Sequence, residues 1–208
     1  SKVRHIAMAT RAFLINLSIS DLCVGIIACA PSVYPAWTGQ WTYGDIWCQV
    51  SGIVHGSSVA VSIWSISLVS IDRFFAVTWP MKYAAMVSKW KCALIIMALW
   101  LGAIVSFLAP CLTKKDFIYY KFKTQYSMCG LYWEYKLFCT ITGLYIPILC
   151  GSILVFTAVK IVQALKRSTK FQESSGIENS RPANRRALRV IVATSIIYFV
   201  FWCPYVAL

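Results

Sequence analysis

Polar surface is what this sequence lacks. Charged residues make up 13% of its 208 positions against 59% hydrophobic ones, and the mean hydropathy is +0.67. A soluble domain of this length needs more polar residues to cover its exterior, so a water-soluble globule is excluded and lipid must act as the solvent. Acids are scarcest, seven against twenty lysines and arginines. No glycine loop of the phosphate-cradling kind, no zinc-spaced cysteine set and no hydrolase serine elbow is present, so an enzyme is not expected. There is no internal repeat and no cleavable signal pattern, because the basic segment Lys2 to Arg11 leads into a run too long and too polar at its centre for a signal core.

What is present is a series of apolar runs. Crossing a hydrocarbon core of about 30 Å takes roughly 20 helical residues. Five stretches meet or approach that length: Ala12 to Tyr34, Ile46 to Val77, Cys92 to Cys111, Leu137 to Val159 and Val190 to Leu208. An all-α membrane protein follows, a single bundle over residues 1–208 with no soluble domain. The chain opens on a basic stub and stops inside an apolar run, so both ends read as cut.

Positive charge collects in short cytoplasmic loops, which orients the bundle. Lys2, Arg4 and Arg11 precede the first span, Arg73, Lys82, Lys89 and Lys91 follow the second, and Lys160, Lys166, Arg167 and Lys170 follow the fourth. These ends are expected inside. The lysines of the loop from Thr113 to Lys136 then lie outside, where a loop of that length translocates despite its charge. Net charge of +13 is met by the anionic inner leaflet, so membrane lipids rather than nucleic acid are the expected partner. The stretch Ser168 to Asn184, rich in Ser, Glu and Asn, reads as a flexible inner connection.

Seven of the nine cysteines lie within or at the ends of spans, and Cys48 and Cys129 fall on the outer side. A bond between these two in an oxidising compartment ties the second span to the third loop. Cys111 is the rival partner for Cys48, and two free thiols are the other alternative.

Several polar residues stand where polar residues are costly. Asp72-Arg73 closes an uncharged run from Ile46 to Ile71, a position that reads as functional by default. Arginine keeps its proton, so Arg73 needs a partner; adjacent Asp72 is the nearest, and snorkelling to lipid phosphates is the alternative. Asp21 sits near mid-span as a buried carboxylate, which must be protonated, hydrogen-bonded or bound to a cation. Hydroxyls of Ser58 and Ser62 on the next helix suit a small hard cation such as sodium, or a water cluster. Pro147 and Pro204 each remove an intrahelical hydrogen bond and bend their helices. Gly52, Gly56 and Ser58 form a small-residue face for close helix packing.

These residues, in this order, resemble the rhodopsin-like (class A) G-protein-coupled receptors, over the family's second to sixth transmembrane helices. Asn16-Leu-Ser-Ile-Ser-Asp21 resembles the second-helix signature and Trp41-Thr-Tyr43-Gly44 that of the first outer loop. Cys48 stands twenty-five residues before Arg73, Asp72-Arg73-Phe74 is similar to the Asp-Arg-Tyr motif, and Pro80 follows as in the second inner loop. Trp100, Pro147 and Trp202-Cys203-Pro204 match the remaining helix signatures.

The resemblance implies a partial seven-transmembrane bundle with five spans, a heterotrimeric G protein as inner partner and an extracellular ligand of unknown type. It implies that Asp72, Arg73, Phe74 and Pro80 form the coupling switch, that the Asp72–Arg73 pair opens on activation, and that Asp21, Ser58 and Ser62 line a sodium pocket, the only cofactor expected. Pro147, Tyr198 and Pro204 become hinge positions, with Trp202 the floor of a ligand pocket drawn from His55, Val59, Ile63, Cys139, Thr140, Gly143, Tyr205 and Val206. His55 stands where monoamine members carry an aspartate, and an imidazole is a poor counter-ion for an ammonium; a water-satisfied packing histidine is its alternative role.

The chain departs from the pattern at Phe74, at Tyr198 in place of phenylalanine and at Val155 in place of tyrosine. It also lacks an acid in Arg181 to Arg186 that would restrain Arg73, so raised basal signalling is expected. A transporter or channel using Asp21 is the alternative class, weakened by the absence of broken-helix repeats and of a second intramembrane acid.

Overall fold

A computed structural model describes residues 2–113, 119–125, 127–131, 141–175, 193 and 195–200. The described chain is helical apart from one hairpin. Helix α1 (Lys2–Cys23) passes through a wide turn (Val24–Cys29) into α2 (Ala30–Thr38). The wide turn lies just ahead of Pro31, and α2 contains Pro35; neither proline can donate to the ladder, and the backbone loosens where the bonds are missing. Ser32 donates to the Ala28 carbonyl at 2.7 Å. Gly39 ends the helix in the left-handed region at φ 71°, its N–H donating to the Pro35 carbonyl at 2.8 Å.

Helix α3 (Gly44–Thr78) has 35 residues, about 50 Å at 1.5 Å per residue, so it outreaches a hydrocarbon core. Asp45 in its first turn complements the helix dipole. Short α4 (Pro80–Met86) starts on a proline, where a missing N–H costs nothing. Next come α5 (Lys89–Thr113), strands β1 (Tyr120–Lys123) and β2 (Met128–Leu131), a second wide turn (Ile141–Tyr145) ahead of Pro147, and α6 (Ile146–Ser175). Residues 195–200 are helical.

Four described helices have the length and apolarity to cross a membrane: Met8–Thr38, Gly44–Thr78, Lys89–Leu112 and Gly143–Ala164. These are the first four expected spans with extended ends; of the fourth, residues 137–140 lie outside the described residues, as does most of the fifth, from 190 to 208. The all-α membrane bundle is as expected, with one short antiparallel hairpin, Phe122 opposite Cys129, held by the Gln49 side chain of α3 and the Phe107 carbonyl of α5. One expectation needs correction. Helix α6 runs to Ser175, into the stretch read as a flexible connection, since its Lys, Gln and Glu are good helix formers; residues 176–184 of that stretch lie outside the described residues.

The chain forms two compact units. One comprises residues 15–65 and 93–142, the other 1–14, 66–92 and 143–208. Both invert the soluble pattern: Ser20, Ser51, Ser57, Ser58, Ser65, Ser67 and Ser70 are buried, while Trp37 is 93% exposed, Ile46 83% and Trp90 82%. In lipid the apolar face costs nothing, and small or polar residues let helices approach and bond one another. In the first unit the expected small-residue face of α3 is used twice, for a Cβ on Gly52 would overlap the Tyr120 ring and one on Gly56 the Phe107 ring.

Three helices meet at one amide in that unit. Asn16 of α1 donates to the Ser65 hydroxyl at 2.8 Å and accepts the Trp100 indole N–H at 2.8 Å. Asn16→Leu removes the bond that the buried Ser65 hydroxyl accepts, leaving its own donation to the Val61 carbonyl, and the bond that the half-buried Trp100 indole donates, and about 1–3 kcal/mol of destabilisation is expected from the two losses together. Thermal unfolding in detergent or nanodiscs measures it; a midpoint within a degree of wild type would contradict this account.

Candidate functional site

At the Arg73 end of α3 one carboxylate organises three helices. Asp72 is 7% exposed. Its Oδ2 accepts a 2.5 Å bond from the Thr10 hydroxyl of α1, and its Oδ1 accepts the Tyr83 hydroxyl of α4. Arg73 donates from Nη2 to the same Thr10 oxygen, and its Nε stands 3.9 Å from Asp72 Oδ2. The expected Asp72–Arg73 pair is therefore present, at the edge of ion-pair range, and Thr10 bridges it. With both oxygens accepting hydroxyls, the carboxylate does not depend on the guanidinium for its hydrogen bonds. Burial pushes the Tyr83 phenol well above its ordinary value of 10.0, and the bond to Asp72 and that carboxylate's charge add to the rise.

Beside this cluster Phe74 packs edge-on to Phe75 at 5.4 Å and Trp79 at 5.6 Å, and meets Phe156 of α6 at 6.3 Å. Lys160 lies 5.6 Å over the Phe156 ring. A ring without a hydroxyl suits this apolar setting. Pro80 is exposed and serves to start α4, which places Tyr83 one turn on.

At mid-helix Ser62 donates to Asp21 Oδ1 at 2.9 Å and shares a 2.7 Å bond with Ser20. Asp21 corrects the expectation of burial: it is exposed, because its carboxylate leaves α1 where no described element covers it. Ser58 is fully buried and its Oγ has no partner among the described residues; it is not joined to Asp21. His55, Val59 and Ile63 recur every fourth residue and so share one face of α3. The rest of the expected pocket divides: Gly143 is described, whereas Cys139, Thr140, Trp202, Tyr205 and Val206 lie outside the described residues, as does the hinge residue Pro204. The other hinge positions meet, Tyr198 donating its hydroxyl to the Pro147 carbonyl at 2.5 Å.

At the Cys48 end the open choice is settled: Cys48 bonds Cys129 and Cys111 is a free, buried thiol. Neighbouring Gln49 imitates a strand. Its Oε1 accepts the backbone N–H groups of Tyr119 at 2.9 Å and Tyr120 at 2.8 Å, and its Nε2 donates to the Tyr120 carbonyl at 2.7 Å. Tyr120 inserts its ring over Gly52 and donates to the Phe107 carbonyl at 2.9 Å. Trp41 stacks on Phe122 at 5.8 Å, so the Trp41-Thr-Tyr43-Gly44 segment packs on the hairpin.

Sequence reading missed Thr10, Tyr83 and Gln49. A tyrosine one turn into a proline-started helix after Asp72-Arg73 was a usable signal for Tyr83. Thr10 and Gln49 carried none, because their partners are remote in sequence.

The sequence model of the family described as 7 transmembrane receptor (rhodopsin family) matches residues 1–208. The alpha-1A adrenergic receptor of Oryzias latipes is 26% identical over 85% of this chain and 37% of its own length. The tachykinin-like peptides receptor 86C of Drosophila melanogaster is 26% identical over 97% of the chain and 42% of its own length. The type-1 angiotensin II receptor B of Mus musculus is 26% identical over 93% and 53%. The chain thus spans between 37% and 53% of the length of these relatives.

The geometry around Asp72 gives a test. Tyr83→Phe removes a bond to a buried carboxylate and is expected to destabilise the protein by ~1.5–3 kcal/mol near neutral pH. Tyr83's raised value keeps its contribution intact below pH 10 and erodes it above, so the gap between wild type and variant narrows once pH exceeds 10.0. Unfolding midpoints at pH 7, 9 and 10.5 check this; a gap unchanged across the series speaks against it.

Proposed function

The chain belongs to the 7 transmembrane receptor (rhodopsin) family, and from that membership we propose that it carries an extracellular ligand signal to a heterotrimeric G protein at the plasma membrane. Family membership supports a multi-pass membrane protein and favours a receptor over a transporter. In this reading the Arg73 end faces the cytoplasm with its lysines toward the anionic leaflet, and the disulfide-bonded end faces outward.

One observation carries the reading: a buried carboxylate satisfied by Thr10 and Tyr83, with Arg73 held, among the described residues, through Thr10 and a 3.9 Å ionic contact. Freeing Arg73 from this arrangement leaves Asp72 with its two hydroxyl donors, so the guanidinium can turn to an acceptor on a G protein without stranding a bare buried charge. Phe74 and Pro80 shape the same surface.

For the ligand, His55, Val59 and Ile63 are proposed to line the pocket from one face of α3. His55 argues against a monoamine, because a neutral imidazole is a poor counter-ion for an ammonium and a protonated one repels it. The names of the relatives span adrenergic, tachykinin-like peptide and angiotensin receptors, so relatedness leaves the ligand class open.

Asp21 is proposed to hold sodium. The donor set fits: a carboxylate, the Ser62 hydroxyl already bonded to it, and one turn away the buried Ser58 oxygen, which has no partner among the described residues. A bound cation would neutralise a carboxylate in a low-dielectric setting.

Two experiments test these statements. Membranes carrying Arg73→Ala are expected to catalyse nucleotide exchange on added G protein at least tenfold more slowly than wild type at equal surface expression; unchanged exchange would overturn the coupling role. Separately, replacing choline chloride by sodium chloride is expected to raise the unfolding midpoint of the wild type and not that of Asp21→Asn, and an equal rise in both would remove the sodium assignment.

A further inference from the structure

A two-stranded hairpin gives β1 one neighbour, so the edge of β1 away from β2 must be satisfied by something other than the sheet. Where the strand begins, Tyr119 and Tyr120 are 1% and 2% exposed, and water cannot serve backbone groups that a third strand would have paired. The side chain of Gln49 takes that place. Its Oε1 accepts both N–H groups and its Nε2 donates to the Tyr120 carbonyl. Turned over, the amide would set its NH2 against two N–H donors, so these partners fix its orientation.

The hold extends past the amide. The Cys111 thiol of α5 stands 3.9 Å from the same Oε1. A Cβ on Gly52 would come within 2.4 Å of Tyr120 Cγ and Cδ1, so the ring seats against bare backbone of α3 while its hydroxyl reaches α5, and Tyr119 packs edge-on to it at 5.4 Å. All of these residues belong to the unit of 15–65 and 93–142. Two consecutive residues of α3 thus hold one strand each: Cys48 bonds Cys129 of β2, and Gln49 bonds the start of β1. A single covalent tie fixes a point and lets the hairpin turn about it, whereas a second hold on the other strand removes that freedom.

We infer that Gln49 is the hairpin's second anchor, holding β1 on α3 whether or not Cys48 and Cys129 are joined. Gln49 acts as a positioning residue, working through the backbone of Tyr119 and Tyr120 and the ring that they seat over Gly52. The inference rests on the receptor reading for its consequence alone: a ligand arriving from outside meets a hairpin of fixed position, not a flap on one covalent tether. The anchor itself is a property of this unit and holds or fails independently of what Arg73 does.

The test reads hydrogen–deuterium exchange residue by residue on the whole receptor in nanodiscs, with neither ligand nor G protein added, so its outcome is separate from that of Arg73→Ala. Gln49→Met keeps the length of the side chain and removes all three bonds; Gln49→Glu keeps acceptor oxygens and removes the donor. In Gln49→Met the amides of Tyr119 and Tyr120 are expected to exchange roughly tenfold faster than in wild type, with Gln49→Glu in between, since one net hydrogen bond carries about threefold to tenfold. The amides of Cys129 and Gly130, held through the disulfide, are expected to change less than about threefold. Opening Cys48–Cys129 of the wild type with a phosphine reductant, confirmed by mass, is expected to leave Tyr119 and Tyr120 within about threefold of the oxidised protein. A smaller rise than that in Gln49→Met, an equal rise in Gln49→Met and Gln49→Glu, or a rise at Cys129 and Gly130 as large as at Tyr119 and Tyr120 overturns the anchor. A larger rise on reduction also overturns it, because β1 is then held by the disulfide. If Gln49→Met does not fold, the reduced wild type decides alone.

Discussion

Every polar group that enters hydrocarbon must find its partner within the protein, and the described structure follows from how this chain meets that demand. Helices satisfy the backbone. The polar side chains satisfy one another across helices, and in doing so fix which helices meet and where. Asn16 does this with Ser65 and Trp100, Asp72 with Thr10 and Tyr83, and Tyr198 with the Pro147 carbonyl. Apolar side chains carry no such information here, since lipid accepts them on any face. This is why Trp37, Ile46 and Trp90 stand exposed while the serines of α3 are buried.

Helix α3 supplies most of these contacts, and its sequence is spaced accordingly. Gln49 and Cys48 anchor the hairpin, Gly52 and Gly56 admit the rings of Tyr120 and Phe107, Ser62 and Ser65 bond α1, and Asp72 bonds α1 and α4. Small and polar residues recur at three- or four-residue intervals along the helix, the spacing that keeps positions on neighbouring rows of one surface. A large residue at either glycine would act by steric exclusion, whereas loss of Gln49 would remove three hydrogen bonds to the backbone of Tyr119 and Tyr120 at once.

Sequence alone made the spans legible because membrane length and hydropathy are properties of contiguous residues. It also made Asp72-Arg73 legible, because a charge at the end of an uncharged run is costly wherever the chain folds. The pairing of Cys48 narrowed to two partners by the sidedness of the loops, and only the three-dimensional arrangement chose Cys129 over Cys111. Thr10 and Gln49 stayed hidden for one shared reason: each is ordinary in its local window and acquires its role from a residue more than forty positions away. The hairpin was hidden differently, since four-residue strands have too little periodicity to register, and these are held by a side chain of α3. Asp21 lies within a membrane-length helix as read but with other surroundings than expected, because position in a run is local and exposure follows from what packs beside it.

The side chains of Arg73 and Tyr198 lie in the same compact unit and are held by different chemistry. Arg73, only partly buried, is held by a long ionic contact and a shared hydroxyl, interactions that a competing acceptor or solvent can replace at small cost. Tyr198 is held by a neutral bond from a buried phenol to a backbone carbonyl, so its hydroxyl must be given a new partner before it moves. The guanidinium can therefore change partners without unpairing Asp72, whereas displacing the phenol costs a buried hydroxyl its bond.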